Sequence, residues 1–200
     1  MTKNIPIVKE PNKVLRASAK DVDADDIRGK KIQKLITDMK VTLKNTPDGV
    51  GLAAPQVGKS LNIFIVSEEA EEIDKAEKRG WEKGHNDDGK PSFAKASEGE
   101  KKPYEKREWK YHVFINPVVK NISKKKLEGP EGCLSVPGKY GTVKRHEKIT
   151  VQAIDEHGKK FIRGASRFFA RVTQHELDHL QGTLFIDKAE KIIEAKPNGG

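Results

Sequence analysis

The chain of 200 residues contains one cysteine, Cys133, and so no internal disulfide. A stapled secreted scaffold is excluded, and a reducing cytosolic compartment is expected. No run of 18 apolar residues exists, and the stretch from Met1 to Ile7 lacks the apolar core of a signal peptide. Neither a spanning helix nor a membrane partner is therefore expected. Internal repeats are also absent, which excludes a solenoid or propeller. The length suits one domain that buries a core without staples.

Apolar residues are scarce too, at 34%, and the shortage has a local origin. Between Ser67 and Lys110, 13 acidic and 11 basic residues accompany only nine apolar ones. This stretch of about 67–110 reads as a charged, low-complexity insertion. Its first part, Glu68 to Lys83, has the composition of a solvated helix, and Gly84 to Lys102 reads as a loop. The insertion is expected to contribute nothing to catalysis. Its net charge is −2, so the other 156 residues carry +11 of the total of +9. Such an excess ordinarily points to a polyanionic partner, although scattered lysines also serve as a solvated face.

Ile32, Leu35, Ile36, Met39 and Leu43 stand at helical spacing and predict a helix over roughly 26–45. Leu61–Val66, Tyr111–Val119 and Ile149–Ile154 read as strands, with turns at Gly138–Gly141 and Glu156–Gly158. Ser166–Leu180 reads as a helix. After Asp187 a short tail, 188–200, has room for about two helical turns before Pro197.

Three segments carry chemistry. His175-Glu176-Leu177-Asp178-His179 is an H-E-x-x-H pattern inside the last predicted helix. Residues four apart share a helix face, so both imidazoles can bind one metal while Glu176 handles protons at the same place. The plainer alternative is two exposed histidines on a polar helix. An extended form of the motif needs a third histidine six residues after the second, but that position is Phe185. The ligand set must therefore be completed elsewhere. Cys133 lies among Gly129, Pro130, Gly132, Pro137 and Gly138, residues that predict an irregular loop. It is either a buried structural thiol or the missing ligand, and as thiolate it suits Fe(II) or Zn(II). Gly49 to Gly58, GVGLAAPQVG, combines backbone access with one neutral amide, Gln56, able to donate to an oxyanion. A small-residue turn with no chemistry is the alternative for that segment.

In this order the three segments resemble peptide deformylase. That family's signatures, GxGxAAPQ, EGCxS and QHExDH, stand here as Gly49–Gln56, Glu131–Ser135 and Gln174–His179. The similarity extends to Pro6–Arg16, Val136–Arg145 and Gly182–Asp187, roughly 140 residues in all. It implies one catalytic domain over 1–200, with an α+β fold in which small antiparallel β-sheets pack around a central helix bearing the HExxH motif. The implied activity is removal of the N-formyl group from the initiator methionine of nascent proteins.

By position, the resemblance makes Cys133, His175 and His179 the metal ligands and Glu176 the general base and acid. Gln56 and the Leu134 N–H become the oxyanion hole. The implied metal is one Fe(II) per chain, with Zn(II), Ni(II) or Co(II) as substitutes. Gly49, Val50 and Gly51 would border the substrate groove, and Val50, Leu134 and Val172 the methionine pocket. Glu131 and Arg145 are expected to pair behind the cysteine. Formyl-Met peptides and the ribosome are the implied partners, with no role for DNA. Many bacterial relatives end in a long basic helix, which the 188–200 tail is too short to supply, so the docking mode stays open. The rivals are a zinc endopeptidase, suggested by H-E-x-x-H alone, and a basic RNA-binding protein with a vestigial metal site.

Overall fold

A computed structural model describes residues 2–47, 49–82 and 110–194. After a 3-10 turn at Lys13–Arg16, the elements are α1 (Lys30–Lys44), β1 (Gly51–Ala53), a 3-10 turn (Ala54–Val57), β2 (Ile63–Ser67) and α2 (Glu69–Glu82). There follow β3 (Tyr111–Ile122), β4 (Lys126–Cys133), β5 (Val136–His146), β6 (Lys148–Ile154), β7 (Lys160–Ser166), α3 (Arg167–Leu180) and β8 (Lys191–Glu194). Two antiparallel sheets, ordered β1-β2-β3-β6-β7 and β4-β5-β8, pack against α3, giving an α+β fold. Among the described residues no helix is long and apolar enough to cross a membrane.

Strand alternation builds two cores on opposite faces of the larger sheet. Ile63, Ile65, Val113 and Ile115 point to α1, where Leu35, Ile36, Met39 and Leu43 form one helical stripe. Phe64, Val66 and Phe114 point the other way, toward Phe169, Ala170 and Val172 of α3. Phe64 and Phe114 are cross-strand partners whose rings stack with centroids 4.5 Å apart. Because β2 lies between these layers it is buried on both faces, which explains its unbroken apolar run. A third cluster, Leu15, Val136, Val143, Leu184 and Phe185, seats the smaller sheet.

Several expectations need correction. Helix α1 begins at Lys30 rather than near 26, because residues 24–28 form a turn that buries Ile27. Gly138–Gly141 is not a turn but part of β5, and Cys133 ends strand β4 rather than lying in a loop. Prolines and glycines are tolerated because β4 is a sheet edge. Small size is also required there: a Cβ on Gly129 would lie 2.8 Å from Arg171 Nη2. The tail forms β8 against β5 over Lys191–Glu194, in place of a helix. Helix α2 is docked rather than merely solvated, with Ala70 fully buried. The loop expected at Gly84–Lys102 lies outside the described residues, as do residues 195–200.

Candidate metal centre

Helix α3 presents His175, Glu176 and His179 to the end of the β4-β5 hairpin, where Cys133 stands. The ligand atoms of Cys133, His175 and His179 all lie within 4.8 Å of one another. Cys133 Sγ is 3.2 Å from His179 Nε2 and also receives the Ser135 N–H at 3.4 Å. His175 Nδ1 is 3.0 Å from Glu131 Oε2, which leaves Nε2 for the cluster. Phe185, where an extended motif would carry histidine, packs against the His175 ring with centroids 6.4 Å apart.

Glu131 is the hub behind this cluster. It takes a two-pronged contact from Arg145, Nε to Oε1 and Nη2 to Oε2, each at 2.8 Å. Arg171 Nη1 adds a second guanidinium at 2.9 Å. Arg145 also reaches Asp178, inside the H-E-x-x-H segment, at 2.5 Å. Burial alone would raise the Glu131 pKa, but the hydrogen bonds from Arg145 and His175 hold it down at about 2. The pairing of Glu131 with Arg145 expected from sequence is therefore present. Arg171 was not anticipated: it also binds the carbonyls of Leu127, Gly129 and Val143. The only sequence signal for it is a cation on the apolar side of a helix. Gln174 adds a second tie from α3, exchanging hydrogen bonds with the N–H and C=O of His146 at 3.0 and 2.8 Å.

Glu176 is 3% exposed, and its Oε2 is buried without a hydrogen-bond partner. Burial pushes its pKa up to about 7. Opposite it stands Gly51, where a Cβ would lie 2.9 Å from Glu176 Cδ and 3.0 Å from Val172 Cγ1. Gln56 accepts from Ala53 N–H through Oε1 at 2.8 Å and aims Nε2 at Cys133 Sγ, 3.6 Å away. Its amide donor group thus faces the thiol side of the site.

All ten residues expected at the site come together. Gly49, Val50, Gly51, Gln56, Cys133, Leu134, Val172, His175 and Glu176 line one cleft of about 460 Å³, with His179 behind Cys133. The donor set suits a divalent cation: one thiol and two imidazoles converge beside the unpartnered Oε2 of Glu176. Burial lowers the His175 pKa, but neighbouring Cys133 and Glu131 raise it well above its ordinary value.

An antiparallel α+β frame around a helix bearing H-E-x-x-H, with Cys133 beside both histidines, defines a fold class with a candidate Cys-His-His metal centre. The profile of polypeptide deformylase matches residues 5–194. The chain belongs to the peptide deformylase family. It is 37% identical over 182 residues to chloroplastic/mitochondrial peptide deformylase 1A of Arabidopsis thaliana, covering 91% of this chain and 60% of that one. It therefore spans less than two thirds of that relative's length. Peptide deformylase 1 of Bacillus cereus is 37% identical over 190 residues, with 95% of both chains covered. A Met-Ala-Ser-bound crystal structure of the class I type b peptide deformylase from Acinetobacter baumannii superposes with a TM-score of 0.71 at 30% identity. That match covers 94% of this chain and 99% of the other.

Proposed function

We propose that this chain removes the N-formyl group from the N-terminal methionine of new proteins, releasing formate. The convergence of the Cys133, His175 and His179 donors beside the unpartnered Glu176 oxygen carries this reading. Those three residues would hold one divalent metal, Fe(II) first and Zn(II), Ni(II) or Co(II) as substitutes, consistent with a thiolate-imidazole set. When bound, the ion supplies Lewis acidity and lowers the pKa of water.

The protein's own groups do the rest. Glu176 takes a proton from the attacking water and later gives it to the leaving amine. A carboxyl with a pKa near 7 suits both tasks. Water and the formyl amide thereby become formate and a free amine. Gln56 Nε2 and the Leu134 N–H donate to the formyl oxygen as charge grows on it. The carbonyl end of Gln56 is already tied to Ala53, so the donor needs little rearrangement.

Val50, Leu134 and Val172 would wall the methionine side chain. Both β1 and β4 are sheet edges that face this cleft, which suits an extended peptide paired along Gly49–Gly51 as an added strand. A hydrogen on the formyl carbon fits where a bulkier acyl group would clash. The Met-Ala-Ser complex of the Acinetobacter relative supports a methionine-led peptide as ligand. The ribosome, as the source of the nascent chain, is the proposed partner. The proposed compartment is the cytosol, where a lone thiol stays reduced.

Anaerobic purification with Fe(II), followed by assay on a formyl-Met-Ala peptide, should release formate. Bound metal without formate release overturns the reading, and cleavage inside casein would favour an endopeptidase. Gly51→Ala is expected to lower kcat/KM by about 100-fold, because its methyl group displaces Glu176 by a fraction of an ångström or more. Unchanged kcat/KM in that variant would show that the close approach is idle.

A further inference from the structure

Helix α3 has an unusual beginning. Its N-cap, Ser166, makes no side-chain capping hydrogen bond, and no acidic residue lies in its first turn. Arg167 adopts a left-handed φ of 48°, which a non-glycine residue rarely does. The first N–H groups of a helix have no partner within it and need acceptors from outside. Here the Arg167 N–H donates to the Glu147 carbonyl at 2.8 Å, and the acceptors for the next two come from α2, the helix that opens the charged insertion. Asp74 Oδ1 accepts from Phe168 N–H at 2.8 Å, and Asp74 Oδ2 from Phe169 N–H at 3.2 Å.

The docking has a second anchor one turn earlier on the same face of α2. Glu71 Oε1 lies 2.8 Å from His112 Nε2 and also pairs with Arg163. Both of these residues rest on Phe169. The Arg163 guanidinium stands over its ring at 5.2 Å, and His112 meets it edge-on at 5.8 Å. Ala70, between helix and sheet, is fully buried in the core that includes Phe169 and Val172. Glu71, Asp74 and Ala70 thus fasten α2 to the first turn of α3.

That turn also forms part of the cleft. Phe168 lines it, as does Val172 one turn further along, beside the proposed methionine wall. We propose that Asp74 is a positioning residue for substrate recognition: by capping α3 from α2 it fixes where Phe168 stands in the cleft wall. The start of the insertion thereby sets how tightly the first side chain of the substrate is held. This rests on the deformylase reading for the identity of the substrate. Asp74 touches no reacting atom, so its effect should fall on KM and on discrimination between first residues, while kcat and metal content stay near wild type.

The test uses the full chain loaded with Fe(II), and compares wild type, Asp74→Asn and Asp74→Ala on formyl-Met-Ala and formyl-Ala-Ala peptides. Asp74→Ala should raise KM for formyl-Met-Ala by about 3- to 10-fold, the range a lost N-cap produces in an equilibrium constant. The preference for methionine over alanine should shrink by a similar factor. Asp74→Asn keeps the shape and one acceptor for two N–H groups, so it should fall between the two. If Asp74→Ala does not fold, Asp74→Asn decides, and wild-type KM and discrimination in that variant overturn the proposal. A lower melting temperature with unchanged KM and discrimination also overturns it, because a purely structural cap would do only that. Wild type inert on both peptides would bring down the deformylase reading itself, and this proposal with it. Wild-type turnover with an indifferent Asp74 brings down this proposal alone.

Discussion

Glu176→Gln is expected to lower formate release by about 100- to 10,000-fold, the usual contribution of a positioned general base and acid. The substitution keeps the side chain's shape, so it still fits against Gly51, where space is tightest. It removes the capacity to accept and return a proton at Oε2, the buried oxygen with no protein partner. Glu176 is outside the converging donor set of Cys133, His175 and His179, so metal content should stay at the wild-type level. Measuring kcat and metal stoichiometry on the same preparations separates proton transfer from metal loss. A variant with near-wild-type kcat rejects the assigned role. One that sheds its metal makes Glu176 a ligand instead.

How far the sequence reveals such a site depends on whether its chemistry is local. The histidines and Glu176 are legible because 3.6-residue periodicity puts positions 175 and 179 on one face without any tertiary information. Cys133 is legible as a candidate from its thiol alone, but as a ligand only through the resemblance. Its glycine and proline neighbours point to a loop, whereas an edge strand accommodates them because Arg171 and Tyr140 press against Gly129 and Gly132. Those contacts span about 40 residues for Arg171, beyond the reach of local pattern. The same limit hid Asp74. Within its own segment it is one more charge in a polar helix, and its partners Phe168 and Phe169 lie 94 and 95 residues away. Strand β8 was hidden too, since KIIE is too short to display a period and its pairing partner lies in β5. The apolar runs of β2 and β3 and the alternation of β6, by contrast, are local properties and mark the larger sheet well.

The contacts behind the metal-binding set lead to the largest expected loss of stability, in Arg145→Met. Arg145 is 4% exposed and Glu131 7%, and the same guanidinium also pairs with Asp178. Removing it leaves a buried carboxylate with only Arg171 and His175 opposite it. Breaking a buried pair from one side typically costs about 3–5 kcal/mol, which for a chain of this size lowers the melting temperature by about 6–20 °C. Glu131 also orients His175 through Nδ1, so the ion should dissociate about 10- to 100-fold more readily, as is usual when the support of a ligand is lost. Glu131→Ala should weaken metal retention as well, because it strips His175 of its acceptor and leaves two guanidinium groups facing each other. The double variant Glu131→Gln, Arg145→Met is the decisive comparison. A glutamine carbonyl still accepts from His175 and carries no charge to strand, so part of the stability should return relative to Arg145→Met alone. Thermal melting and metal-release rates across the cycle measure this coupling. Wild-type melting in Arg145→Met, or strictly additive losses in the double variant, would show that the pair supports neither the fold nor the site.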